Sequence, residues 1–339
     1  MEDLNFAIFG TGFWANYQIP GWQELDGVRC VAAYNRTLSK AQKIGAKFGI
    51  PNLYDDPEAL LSEETSLDFV DICTDVDTHL PFTKMAAEKG LNVVCQKPMA
   101  ANLADAQEMV NVCAHNDVRL FINENFRWQA PLRALKETLS SGVIGQPFKA
   151  RVTFCSAFPV FDNQPFLAEL EHFILTDVGS HVLDVARFLF GEVETLYCQT
   201  TRVNPKIKGE DVANVMMKMK GGLTCYAEMS YASKLEQESF PQVLVLVEGS
   251  KGSVHLAHDY ALKTTTSEGT NSQTIEPTMY PWVDPEYAVV HSSIVDCQRN
   301  ILEGLRGRKA ETTGADNLKT TQLVWSAYES AAHNELVRF

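Results

Sequence analysis

Phe6-Ala7-Ile8-Phe9-Gly10-Thr11-Gly12-Phe13-Trp14-Ala15 sets the architecture of this chain. The four apolar residues in an unbroken row read as a strand buried on both faces, the pattern of a parallel sheet covered by helices. They run straight into Gly-x-Gly-x-x-Ala. Gly10 suits a tight turn, Gly12 lets a backbone approach a pyrophosphate, and the small Ala15 lets the next helix pack on the strand. The amino terminus of that helix then faces an anion. A lone match to this pattern is weak, but here a strand precedes it, a helix follows it and a second strand ends near residue 34.

Working outward, Val28–Tyr34, Phe69–Thr74, Asn92–Cys95 and Leu120–Ile122 read as further buried strands. The stretches Gln42–Phe48, Leu80–Lys89 and Leu103–Asn116 are helical crossovers between them. Residues 1–125 are thus expected to form an α/β, doubly wound Rossmann domain that binds a dinucleotide. Beyond Arg127 the grammar changes. A helix at about Pro131–Ser140 is followed by a strand at Phe148–Ser156 and a helix at Val178–Phe190. Longer strands come next, at Glu194–Arg202, Ala213–Met219, Leu223–Tyr231, Gln242–Glu248 and Ser253–His258, several joined by hairpin-length glycine turns. Residues 126–339 are expected to be an α+β domain with a largely antiparallel open sheet, and Thr264–Tyr280, rich in Thr, Ser, Gly and Asn, is expected to be a loop. With no long linker, the two domains should pack closely, and clefts between domains are where small ligands usually sit.

Composition narrows the function. The 339 residues carry 29 Lys and Arg against 43 Asp and Glu, a formal net charge of −14. That field repels nucleic acid and anionic lipid, and no basic cluster offsets it. No apolar run reaches the roughly 18 residues of a membrane helix, and Met1-Glu2-Asp3 carries acids where a secretory signal carries cations, so a cytoplasmic protein is expected. The eight cysteines, Cys30, Cys73, Cys95, Cys113, Cys155, Cys198, Cys225 and Cys297, form no C-x-x-C pair. They read as buried reduced thiols and take no chemistry here.

The second strand ends Ala33-Tyr34-Asn35-Arg36-Thr37. An NAD site usually places a carboxylate here for the ribose diol. This chain has none. Asn35 can bond a hydroxyl, whereas Arg36, Thr37 and Ser39 can hold a 2′-phosphate, so NAD or NADP is expected with a slight lean to NADP. Arg36 as an ordinary solvated charge is the competing reading.

Several ordered motifs resemble the glucose-fructose oxidoreductase and inositol dehydrogenase family, Gfo/Idh/MocA. They are Cys73-Thr74-Asp75-Val76-Asp77-Thr78-His79, Gly90 through Gln96-Lys97-Pro98, Asn125-Phe126-Arg127, Asp177-x-Gly179-x-His181-x-x-Asp184, Gly249-Ser250-Lys251-Gly252 and Trp325–Ser330. Gln96 stands where that family usually has Glu. The resemblance implies an NAD(P)-dependent dehydrogenase of a sugar or cyclic polyol, with a pentose or an apiose-like aldose oxidised to its lactone among the candidates. It implies a homodimer or homotetramer and metal-free chemistry. Xylose and dihydrodiol dehydrogenases of the family are alternatives, as is a nucleotide-sensing regulator without turnover. On the cofactor it places Gly10, Thr11, Gly12, Phe13, Trp14, Asn35, Arg36, Thr74, His79, Gln96 and Lys97. At the substrate it places Lys97, Asn125, Arg127, Asp177 and His181, with Trp14, Asn123, Trp128 and residues Phe158–Gln164 as further candidates; Trp14 and Trp128 read equally well as core.

Asp177, His181 and Asp184 stand at i, i+4 and i+7, one face of a helix. That spacing also permits a metal, though no second ligand group is identifiable nearby. Within the resemblance, His181 is the base for the hydroxyl proton, Lys97 stabilises the developing alkoxide and Asp177 holds the His181 ring or a substrate hydroxyl. Asp184 reads as structural support.

Overall fold

The structure is a computed structural model and describes residues 3–339; the Met1-Glu2 part of the amino-terminal reading lies outside the described residues. The chain divides into two compact units. The first holds residues up to Asn125 together with Tyr280–Asp284 and His291–Thr321; the second holds Phe126–Met279, Pro285–Val290 and Gln322–Phe339. The sequence divides after residue 125 with the C-terminal helix expected to pack back on the first domain; 280–284 and 291–321 cluster with the first unit.

In the first unit, six strands form one sheet: β1 (Leu4–Phe9), β2 (Val28–Tyr34), β3 (Asn52–Tyr54), β4 (Phe69–Ile72), β5 (Asn92–Gln96) and β6 (Leu120–Asn123). Their order is β3-β2-β1-β4-β5-β6 and every pairing is parallel, as in a doubly wound fold. The order reverses direction between β1 and β4, beside the turn that begins at Gly10. Helices Ala15–Gln23, Leu38–Phe48, His79–Glu88 and Leu103–His115 supply the crossovers. Under β1, the Phe6 ring stacks on Phe69 at 4.9 Å and both lie against Trp22. Complete burial of each such ring contributes roughly 2–3 kcal/mol. The outer edge of β6 is covered by a returning segment through an antiparallel bridge from Phe121 to Thr313, which protects an otherwise open strand edge.

The second unit is built on nine strands: β7 (Pro147–Cys155), β8 (Val193–Thr201), β9 (Val212–Met219), β10 (Thr224–Ser230), β11 (Leu244–Gly249), β12 (Gly252–Leu256), β13 (Ala261–Thr266), β14 (Gly269–Thr274) and β15 (Val337–Arg338). The order is β14-β13-β12-β11-β7-β10-β9-β8-β15, and only β7 with β10 is parallel. On β9, Ala213, Val215, Met217 and Met219 face the core while Asn214, Met216 and Lys218 face outward. Helix Ser180–Phe190 packs against β7 and β10.

The structure corrects two expectations. Thr264–Tyr280 is not all loop, because β13 and β14 form a hairpin through Thr274. Every residue of β14 is exposed; with neither face buried, a strand needs no apolar alternation, and its Thr, Ser and Asn disguise it. The Val178–Phe190 helix starts earlier, with a π-helical turn over Leu175–Gly179. Among the described residues no helix is long and apolar enough to cross a membrane.

Candidate active site

The glycine-rich turn behaves as its sequence demands. Gly10 has φ +95, and a Cβ there would sit 2.6 Å from the Cys73 carbonyl oxygen, so only glycine fits. A Cβ on Gly12 meets nothing within 4 Å. That open space, together with buried Ala15 behind it, is the room a pyrophosphate requires. The Thr11 hydroxyl is buried and has no hydrogen-bond partner among the described residues. An orphaned polar atom beside an open glycine fits an absent anion.

This turn opens onto a cavity of about 190 Å³ lined by Gly10, Thr11, Gly12, Tyr34, Asn35, Arg36, Lys40, Cys73, Thr74, Asp75, Thr78 and Phe82. Five of the expected cofactor residues beside Gly12 therefore come together. Lys40 and Asp75 were not expected; Lys40 stands in the first turn of the helix that follows Arg36. The Asn35 side-chain oxygen accepts from Thr37 N–H at 2.9 Å, tying it to its own turn. Phe13 lies beside the turn, 53% exposed, with Trp14 edge-on at 5.4 Å.

His79, Asn123 and Asn125 are buried. His79 has no exposed surface: one ring nitrogen faces the Thr74 carbonyl at 3.2 Å and the other the carbonyls of Pro98 and Met99 at 3.1 and 3.3 Å. It links the Thr74 turn to the residues after Lys97. Burial holds its pKa below the ordinary value, with those carbonyls opposing. Gln96, at the end of β5, is buried with an amide nitrogen that lacks a partner among the described residues, a donor left for a ligand. Asn123 donates to Asp71 at 3.1 Å and Asn125 to Ser293 at 2.8 Å, so both amides serve the interior.

In the second unit, His181 lies on helix Ser180–Phe190 with its imidazole stacked flat on Phe126, centroids 3.7 Å apart and planes 5° from parallel. Asp177 stands in the π-helical turn just before, where its carboxylate accepts from the Tyr231 hydroxyl at 3.4 Å. That carboxylate and burial raise the Tyr231 pKa, with burial the larger cause. Tyr231 carries no local motif that sequence reading could have caught. Asp184 is fully buried and paired in a fork by Arg127, with Arg187 a second cation at 3.9 Å. Arg127, expected at the substrate, is only 5% exposed and given to this pair; burying a guanidinium without its carboxylate would cost several kcal/mol. Trp128 is likewise buried, beneath the Arg133 guanidinium. Asp184 is thereby committed to two guanidinium groups, which removes it from the metal set that the i, i+4, i+7 spacing permits.

The thiols are buried or half-buried and unlinked. Burial pushes Cys113, Cys198 and Cys225 up to about 12 and Cys155 to about 11, so these stay protonated and unreactive at neutral pH.

A six-stranded parallel sheet of doubly wound order followed by a mixed, mostly antiparallel sheet defines a two-part α/β protein with a dinucleotide-binding type of first unit. Residues 4–124 match the family model described as the oxidoreductase family with an NAD-binding Rossmann fold, and 132–255 match the C-terminal domain of the same family; the chain belongs to the Gfo/Idh/MocA oxidoreductases. It is 41% identical to a D-apiose dehydrogenase of Rhizobium rhizogenes over 99% of this chain and 98% of that protein. With one from Paraburkholderia graminis it shares 42% identity over 98% of this chain and 88% of that protein. A crystal structure of an oxidoreductase from Agrobacterium radiobacter in complex with NAD+, L-tartaric acid and magnesium superposes with a TM-score of 0.96 at 41% identity, covering 99% of this chain and 98% of that one.

Proposed function

We propose that this enzyme is a sugar dehydrogenase that oxidises D-apiose, or a similar aldose, to its lactone. The observation that carries the reading is similarity along nearly the whole chain to two D-apiose dehydrogenases. A bound nicotinamide dinucleotide supplies the hydride acceptor. The residues of this chain do the rest. His181 takes the proton of the C1 hydroxyl as the carbonyl forms, a task suited to an imidazole near neutral pH. The Lys97 ammonium stabilises negative charge developing on that oxygen. Asp177, bonded by Tyr231, orients the His181 ring or a sugar hydroxyl. The first unit is the nucleotide-binding part and the second the substrate-binding and oligomer-forming part.

For the cofactor, NAD binding accords with the family fold, and donors gathered at the ribose end favour acceptance of the 2′-phosphate as well. Asn35 has its oxygen engaged by Thr37, leaving its amide N–H groups beside Arg36 and Lys40. A homo-oligomer is supported by Met216 and Tyr226, directly paired apolar residues on the outward face of β9 and β10. Eight unlinked cysteines accord with a reducing cytoplasm.

The test is turnover of a panel of aldoses and cyclic polyols with NAD and with NADP, followed by reduced-nicotinamide absorbance. D-apiose should be oxidised, and His181→Ala should lose at least about two decades of kcat while still binding cofactor. Cofactor binding without turnover of any sugar would instead support a nucleotide-sensing role.

A further inference from the structure

We infer that Phe126 and the Arg127–Asp184 pair are positioning elements for His181, fixing the plane in which its imidazole meets the sugar hydroxyl. The inference rests on the reading of His181 as the base. Phe126 covers one face of the imidazole at 3.7 Å, nearly parallel. Rotating the imidazole out of that plane would drive its edge into the Phe126 ring, so the stack holds the ring in one plane. Phe126 is itself held from behind by Phe154, centroids 6.3 Å apart.

The backbone that carries Phe126 is anchored by the next residue. Phe126–Trp128 is a single 3-10 turn, too short to hold its own position. Arg127 Nε donates to Asp184 Oδ2 at 2.7 Å and Nη2 completes the fork on Oδ1. Asp184 lies three residues beyond His181 on the same helix, so anchor and stack meet adjacent turns of one rigid element. Arg187 shares Asp184 and also binds Glu192 at 3.0 Å, and its guanidinium is buried with the pair. A bidentate pair fixes direction as well as distance, which a lysine could not do. General-base transfer depends steeply on such alignment, and a misplacement of about 1 Å can cost on the order of 100-fold.

The experiment compares wild type, Phe126→Leu, Phe126→Tyr, His181→Ala and the Phe126→Leu/His181→Ala double variant, using NAD and whichever panel sugar wild type turns over fastest. Phe126→Leu should lower kcat about tenfold or more while KM for NAD stays within about twofold. Phe126→Tyr keeps the ring and should stay within about threefold of wild-type kcat. In the double variant the Phe126 change should add almost nothing to the loss from His181→Ala, because a residue acting through His181 has no effect once it is gone. Additive losses, or an undiminished kcat in folded Phe126→Leu, would overturn the inference and leave the base assignment standing. A folded His181→Ala with wild-type kcat would remove both. Should Phe126→Leu fail to fold, Arg127→Lys tests the anchor by the same cycle, with additivity again the refuting result.

Discussion

Asp71 offers the sharpest quantitative test of the nucleotide-binding unit. It stands on β4 with no exposed surface, and its carboxylate accepts from Trp22 Nε1 at 2.8 Å, Asn123 Nδ2 at 3.1 Å and Cys73 Sγ at 3.8 Å. Burial raises its pKa to about 6, and the three donors pull it back only in part. The folded state thus keeps a proton that the unfolded chain releases near pH 4. A raised pKa means the stabilisation is full below the unfolded value and is lost as pH rises through about 6. Two pKa units correspond to roughly 3 kcal/mol in all, of which about 1.4 kcal/mol falls between pH 5 and pH 7.5. Asp71→Asn stays neutral at every pH. Its amide oxygen can still accept from Trp22, and turning the Asn123 amide over brings its unpartnered Oδ1 to the new N–H group. The unfolding free energy of Asp71→Asn minus that of wild type, from urea titrations at pH 5 and pH 7.5, should therefore rise by about 1.4 kcal/mol across that interval. All other titrating groups cancel in the difference. An unchanged difference would refute a buried, proton-binding Asp71.

Three further outcomes follow from the same geometry. Gly10→Ala places a Cβ against the Cys73 carbonyl and should lower both thermal stability and cofactor affinity, whereas Gly12→Val has open space and should lower affinity in calorimetry with little change in melting temperature; equal effects on melting would contradict the different roles of the two glycines. Arg127→Met leaves the Asp184 carboxylate with a poorer partner and should destabilise by about 3–5 kcal/mol, read as a shift of the urea midpoint. Arg36→Ala should weaken NADP more than NAD in binding titrations, since a guanidinium contributes more to a phosphate than to a diol; equal losses would take Arg36 out of the 2′ position.

Much of the first unit was legible because its signals are local. An apolar run into Gly10-x-Gly12-x-x-Ala15 encodes strand, turn and helix within ten residues, and parallel strands buried on both faces leave unbroken apolar rows. The resemblance likewise rested on contiguous motifs. Hidden were features set by contacts between distant segments. β14 was hidden for a different reason: both of its faces are exposed, so no apolar alternation marks it and its Thr and Ser residues looked like loop. The depth of His79 below Thr74 and Pro98 depends on how two βα turns pack.

What the sequence determined by itself was the order of elements and the nucleotide-binding fold of the first unit, since each depends on spacing along the chain. Only the tertiary structure decided which side chains meet. Arg127 reads from the sequence as one candidate for the substrate, and in the fold its buried guanidinium pairs with Asp184, 57 residues away. The same pairing sets Phe126 against His181, and Tyr231 reaches Asp177 from the end of β10, 54 residues off. Desolvation energies of charges and the packing of rings depend on distance in space, and no local pattern of residues encodes them.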